Sequence, residues 1–143
     1  MLSDKGPHLS VAVLCERVLE EKDGVLSLIR IVDRITNAAT GPDAPDEMPP
    51  APINLTAVLS FKSGKARGSY TVKLRPEDPS GTQLPALDMP IHFEGEGDRG
   101  SNLVVNFNFV AEMAGLYWID VLFEDDLITR MPLRVIYQPR RVG

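Results

Sequence analysis

Alternation is the feature of this chain that most restricts its fold. From Asn102 to Val110, Leu103, Val105, Phe107 and Phe109 alternate with Val104, Asn106 and Asn108. A period of two places successive side chains on opposite faces of a β-strand. Leu116 to Glu124 repeats the pattern, with Tyr117, Ile119, Val121 and Phe123 on one face. Leu127 to Tyr137 carries Met131, Leu133, Val135 and Tyr137 on one face and Arg130 and Arg134 on the other. Between these two runs, Glu124-Asp125-Asp126 reads as a tight turn, which predicts an antiparallel hairpin. Tyr117, Ile119, Val121 and Phe123 should then face inward beside Leu133 and Val135, with Trp118 on the opposite face. Pro132 has no N–H to donate, so its strand should lie at an edge or be bulged there.

The middle of the chain behaves alike. Leu55, Ala57, Leu59 and Phe61 alternate, as do Tyr70, Val72 and Leu74, and a short strand is expected around Pro90 to Glu94. Polar Lys62 to Gly68, the turn-rich Pro76 to Gly81 and Gly95 to Gly100 separate them. The N-terminal third is ambiguous. Val11, Leu14, Cys15, Val18 and Leu19 fit a helical stripe, yet Leu9–Val18 and Val25–Ile35 also read as two strands. Asp23-Gly24 between them is a hairpin turn signal, and the Val and Ile content of the second arm favours strand. The expectation is an N-terminal hairpin over about 9–35. Asn37 to Pro52 holds five prolines and Gly41, which predicts an extended crossover loop over about 37–52.

At 143 residues the chain suits a single domain, 1–143, with a core large enough to need no staples. The predicted class is all-β: an antiparallel β-sandwich of about eight strands, immunoglobulin-like or Greek-key. A formal net charge of -5 without a basic stripe argues against nucleic acid. No apolar run approaches the roughly 20 residues of a membrane helix, so no membrane partner is expected. The single cysteine, Cys15, allows no internal disulfide, and the start is polar rather than a secretory leader. The cytoplasm is the expected location.

Candidate chemistry is sparse. Cys15 sits in an apolar segment and reads as a small buried hydrophobe. His92, between Ile91 and Phe93, should point to the polar face, and His8 lies in the polar start. One Cys and two separated His residues are too few for a zinc site. Glu94, Glu96 and Asp98, and the turn Glu124 to Asp126, offer loop carboxylates for calcium, but at no defined loop spacing. Gly95 to Gly100 matches a glycine-rich phosphate motif in form only, since no helix is expected after it. No catalytic, cofactor-binding or metal-binding residue is assigned, and no cofactor is expected. The cations Lys62, Lys65 and Arg67 share a loop, while Arg130, Arg134, Arg140 and Arg141 lie on or after the last strand. With Trp118, these last four form the candidate partner surface; charge on an edge strand also blocks aggregation.

The segment Ala111 to Val121, with Gly115-Leu-Tyr117, resembles the immunoglobulin-like corner, which implies that the Tyr117 hydroxyl bonds the corner backbone. The chain as a whole resembles an uncharacterised family of small bacterial single-domain proteins. That resemblance rests on Leu14-Cys15-Glu16-Arg17-Val18, on Asp23 to Asp33, on Gly115-Leu-Tyr-Trp118 and on Pro132 to Val135. It implies a soluble β domain and no mechanism.

These readings favour a non-catalytic protein-binding or assembly module rather than an enzyme. Apolar residues on both faces of several strands motivate this, among them Val104, Leu116, Trp118 and Leu122, which need cover from loops or from another subunit. The alternatives are a small ligand- or calcium-binding β-sandwich and, behind it, a small hydrolase using Cys15 or His92.

Overall fold

In the computed structural model, which describes residues 6–141, alternation is translated directly into layers. The strands are β1 (His8–Glu20), β2 (Leu26–Ile31), β3 (Arg34–Thr40), β4 (Ala51–Lys62), β5 (Arg67–Glu77), β6 (Leu87–Glu94), β7 (Gly100–Ala111), β8 (Gly115–Phe123) and β9 (Asp126–Arg140). They form a four-stranded sheet, β2-β1-β4-β7, and a five-stranded sheet, β3-β9-β8-β5-β6. The two sheets face each other in a sandwich-like arrangement, one of them curled towards a half-barrel. All pairings are antiparallel except β3 with β9, which is parallel. The all-β class holds, with nine strands among the described residues where about eight were expected.

The odd residues of β4, from Ala51 to Phe61, all face the other sheet and are buried. In β8 the inward set is Tyr117, Ile119, Val121 and Phe123, as the alternation predicts, and Leu133 and Val135 of β9 join it. Their register is Tyr117 opposite Leu133 and Gly115 opposite Val135. Rings fill both ends of the core. Phe61, Tyr70, Phe93 and Phe123 meet at one end and Phe107, Phe109 and Tyr117 at the other, with centroids 5.1–6.4 Å apart. Such spacings suit tilted and edge-to-face packing.

The helical alternative for the N-terminal third is excluded: β1 and β2 form the hairpin, turning through Glu21–Val25 with Gly24 at φ 85°. The second arm is shorter than expected. It breaks at Val32-Asp33, and Arg34–Thr40 crosses to the other sheet as β3. Asn37–Thr40 are therefore strand, and the proline-rich connection runs only from Gly41 to Pro50. Glu124 and Asp125, both at positive φ, make the tight turn between β8 and β9. Pro132 lies in a strand that is interior overall, because β3 pairs with β9. The pairing begins only at Arg134, so β9 has no neighbour on that side at Pro132, and the missing N–H costs nothing there.

The hydroxyl of Tyr117 donates to the carbonyl of Met113 at 2.7 Å and accepts from the Met113 N–H at 3.4 Å. This ties the β7–β8 corner to the start of β8, as the resemblance implied. Burial pushes the Tyr117 hydroxyl above its ordinary pKa, which keeps it a donor.

Candidate interaction surfaces

The outer face of the five-stranded sheet is a charge network. Cross-strand register lines up Arg75 of β5, Asp120 of β8 and Arg130 of β9 in one row. Asp120 is only 3% exposed although it points away from the core. It accepts from Arg130 Nε at 2.6 Å and from Arg75 Nη2 at 3.4 Å. Arg130 also donates to Glu77 at 2.9 Å, and its guanidinium lies 4.9 Å from the centre of the Trp118 ring. Asp120 first and Glu77 second push the Arg130 pKa up and hold it charged. Two carboxylates thus balance two guanidinium groups, and the indole is capped from within the sheet.

This network changes the reading of the candidate partner residues. Trp118 and Arg130 touch each other and are largely satisfied by their own sheet. Arg134 is exposed, beside Arg34 across the parallel pairing. Arg140 donates to Gln138. Arg141 bonds the Ala44 carbonyl at 2.9 Å and pairs with Asp46, so it anchors the proline-rich segment, where the Tyr137 hydroxyl also reaches the Pro45 carbonyl. The four arginines therefore do not form one patch. Leu122, expected to need cover, is buried at 6% next to a bulge at Val121/Leu122. Arg75, Glu77 and Asp120 went unassigned in the sequence. Their pairing spans 45 residues between Arg75 and Asp120, and no local signal carries such a register.

The outer face of the four-stranded sheet has the opposite character. Val11, Val13, Cys15, Arg17 and Leu19 of β1 point outward beside Ile29 and Ile31 of β2, with Val58 of β4 and Val104 of β7 in the same layer. Cys15 and Val58 form its floor, at 0% and 2% exposure, yet neither belongs to the core between the sheets. Around them Ile31 is 64% exposed and Val104 47%, and Val11, Leu19 and Ile29 are exposed as well. Arg17 is the only charged residue among these outward positions of β1 and β2.

Two clefts open where the sheets part. One, of about 510 Å³, runs along β7 from Asn106 to Val110 and is walled by Pro76 and by Leu84–Leu87. The other, of about 780 Å³, lies between Glu16, Arg30, Arg34–Thr36 and Asn54, and holds the Glu16–Arg30 ion pair at 2.8 Å.

Cys15 and His92 are not brought together: one lies on β1, the other on β6 of the opposite sheet. Burial pushes the Cys15 thiol up, and its S–H reaches the Arg17 carbonyl at 3.6 Å. His92 points outward, as expected, between Ser69 and Glu94 at 3.2 and 3.3 Å. Three of the loop carboxylates weighed for calcium are engaged otherwise. Glu96 pairs with Arg99, Glu124 accepts from the Thr71 N–H, and Asp125 pairs with Lys73. Among the described residues, no three His, Cys, Asp or Glu side chains converge on a metal-sized site. Among the same residues, no helix is long and apolar enough to cross a membrane.

With the fold and its surfaces in view, comparison places the chain in a class. Residues 10–136 match the model of DUF6941, a family of unknown function, and the chain belongs to that family. No curated protein matches it.

Proposed function

We propose that this protein is a non-catalytic binding module that docks a protein partner on the outer face of its four-stranded sheet. The observation that carries this reading is the coherent apolar layer of Val11, Ile29, Ile31 and Val104 over the floor of Cys15 and Val58. Contiguous exposed apolar surface of this kind marks association sites, whereas scattered single residues do not. On the opposite outer face the central charges, Arg75, Asp120, Arg130 and Glu77, pair with one another, and Arg34 and Arg134 stand exposed beside them. The buried, protonated Cys15 suits a floor residue and a reducing compartment such as the cytoplasm.

An immunoglobulin-like architecture is part of the same reading. It is supported by the parallel β3–β9 pairing, the order β3-β9-β8-β5-β6 and the Tyr117 corner bond.

Site-directed photo-crosslinking in the cells that make the protein tests the binding role. A photoreactive side chain at position 31 should yield a discrete protein adduct, and one at position 92 should not. No adduct at 31, or the same adducts at both positions, would overturn the proposal.

A further inference from the structure

We infer that β7 is a self-pairing edge, through which two copies of this chain join by antiparallel β7–β7 pairing about a two-fold axis. This goes beyond the outer-face reading and rests on the backbone edge of β7, although Val104 belongs to both surfaces.

An edge strand presents unpaired N–H and C=O groups, and proteins usually protect it with charge, proline, bulges or shortness. Three of the four edges here are protected in that way. β2 is only six residues long and is bent at Arg30, a non-glycine residue at φ 56°. β3 carries Arg34, and β6 carries Asp88, Pro90, His92 and Glu94. β7 has none of these devices. It spans 12 residues, Gly100–Ala111, without a charge or a proline, and pairs with β4 in unbroken register from Lys62–Gly100 to Ala51–Ala111. Among the described residues it pairs with β4 alone.

The absence of charge also selects the occupant. A two-fold strand pairing sets each residue near the axis against its own copy or a close neighbour, so any charge there would meet its like. With a net charge of -5, the chain could repel itself at many places, but not along β7. Its outward side chains, Asn102, Val104, Asn106, Asn108 and Val110, are neutral and self-compatible. Its inward row is incomplete: Phe107 is buried, while Leu103, Val105 and Phe109 are only partly so. The 510 Å³ cleft lies alongside this row. A second β7 would extend the row and cover the cleft mouth, and the pairing would close on itself with no β7 edge left over.

Sedimentation equilibrium on the full chain over a range of concentrations, with hydrogen exchange read at 102–110, tests the inference. The wild-type chain should sediment as a dimer of the 15.7 kDa protomer, with β7 amides protected more strongly at high concentration. Asn106→Lys puts a cation at an exposed outward position and should raise the dimer dissociation constant by about tenfold or more through like-charge repulsion. Thr36→Lys on β3 should leave it unchanged. Asn108→Lys replaces Asn106→Lys should the latter unfold by far-ultraviolet dichroism. A monomer at every concentration would overturn the inference, as would a dimer indifferent to these lysines. A dimer dissociated by Ile31→Lys but not by Asn106→Lys would overturn β7 pairing and leave the outer-face reading standing.

Discussion

The two outer faces of this molecule solve the same problem in opposite ways. On the five-stranded sheet, Asp120, Arg75, Arg130, Glu77 and Trp118 point away from the core and pair with one another, with only the buried Arg75 Nε left without a hydrogen bond. On the four-stranded sheet, Ile29, Ile31 and Val104 also point away from the core and have no polar groups to satisfy. The centre of the first face needs no partner, since two carboxylates there balance two guanidinium groups. The second keeps apolar area in water, which association would remove. The difference assigns stability to one face and binding to the other, and substitutions can separate the two roles.

The largest effect should come from the core that both faces share. Val121→Ala removes buried methyl groups at 0% exposure and should cost about 1–3 kcal/mol in urea unfolding, as lost transfer energy plus a cavity. Asp120→Ala should come next, at about 1–2 kcal/mol, because it strips two guanidinium groups of their shared carboxylate. Both arginines are partly exposed, so water offsets part of that loss. If Asp120→Ala proved neutral while Val121→Ala did not, the charged face would lose its structural role. Tyr117→Phe should cost about 0.5–1.5 kcal/mol by leaving the Met113 carbonyl without its donor, readable in the same urea melts.

A smaller effect is expected in acid. The Ser80 hydroxyl, followed by the Thr82 and Ser80 N–H groups, holds the Asp78 carboxyl below its ordinary value. A lowered pKa in the folded state means that the unfolded chain binds the proton more readily. The stabilisation is therefore present above the ordinary carboxylate range and lost as pH falls through the depressed value. Asp78→Asn should flatten the acid limb of a stability–pH profile; an unchanged profile would show that the loop contributes nothing.

How much of this was legible in the sequence depended on how far apart the interacting residues lie. Tyr117 to Phe123, the turn at Glu124-Asp125 and the return through Leu133 are neighbours along the chain, so period and turn chemistry fixed their faces and antiparallel sense, while the bulge at Val121/Leu122 left no mark in the sequence. The Tyr117 corner also lies within five residues. The break at Val32-Asp33 was not legible. Val25 to Ile35 is one run rich in Val and Ile, and only pairing with the distant β9 divides it between two sheets. The Asp120 network was hidden for the same reason. Arg75 lies 45 residues from Asp120 and Glu77 lies 53 from Arg130, so topology sets both pairings, and the nearer Asp120–Arg130 pair follows only once the bulge at Val121/Leu122 has set the hairpin register. The outer-face patch was half legible: apolar residues on both faces of several strands, Val104 among them, foretold a need for cover, but not which sheet would keep it unmet.

The most direct test of this division is the stability of a chain whose outer face has been made polar. The Ile29→Lys/Ile31→Lys double variant changes exposed side chains that contribute nothing to the core. Its unfolding free energy should stay within about 0.5 kcal/mol of the parent, while a photo-crosslinker at position 11 should lose the adduct it forms in the parent. A stability loss as large as that of Asp120→Ala, with the adduct retained, would contradict the account.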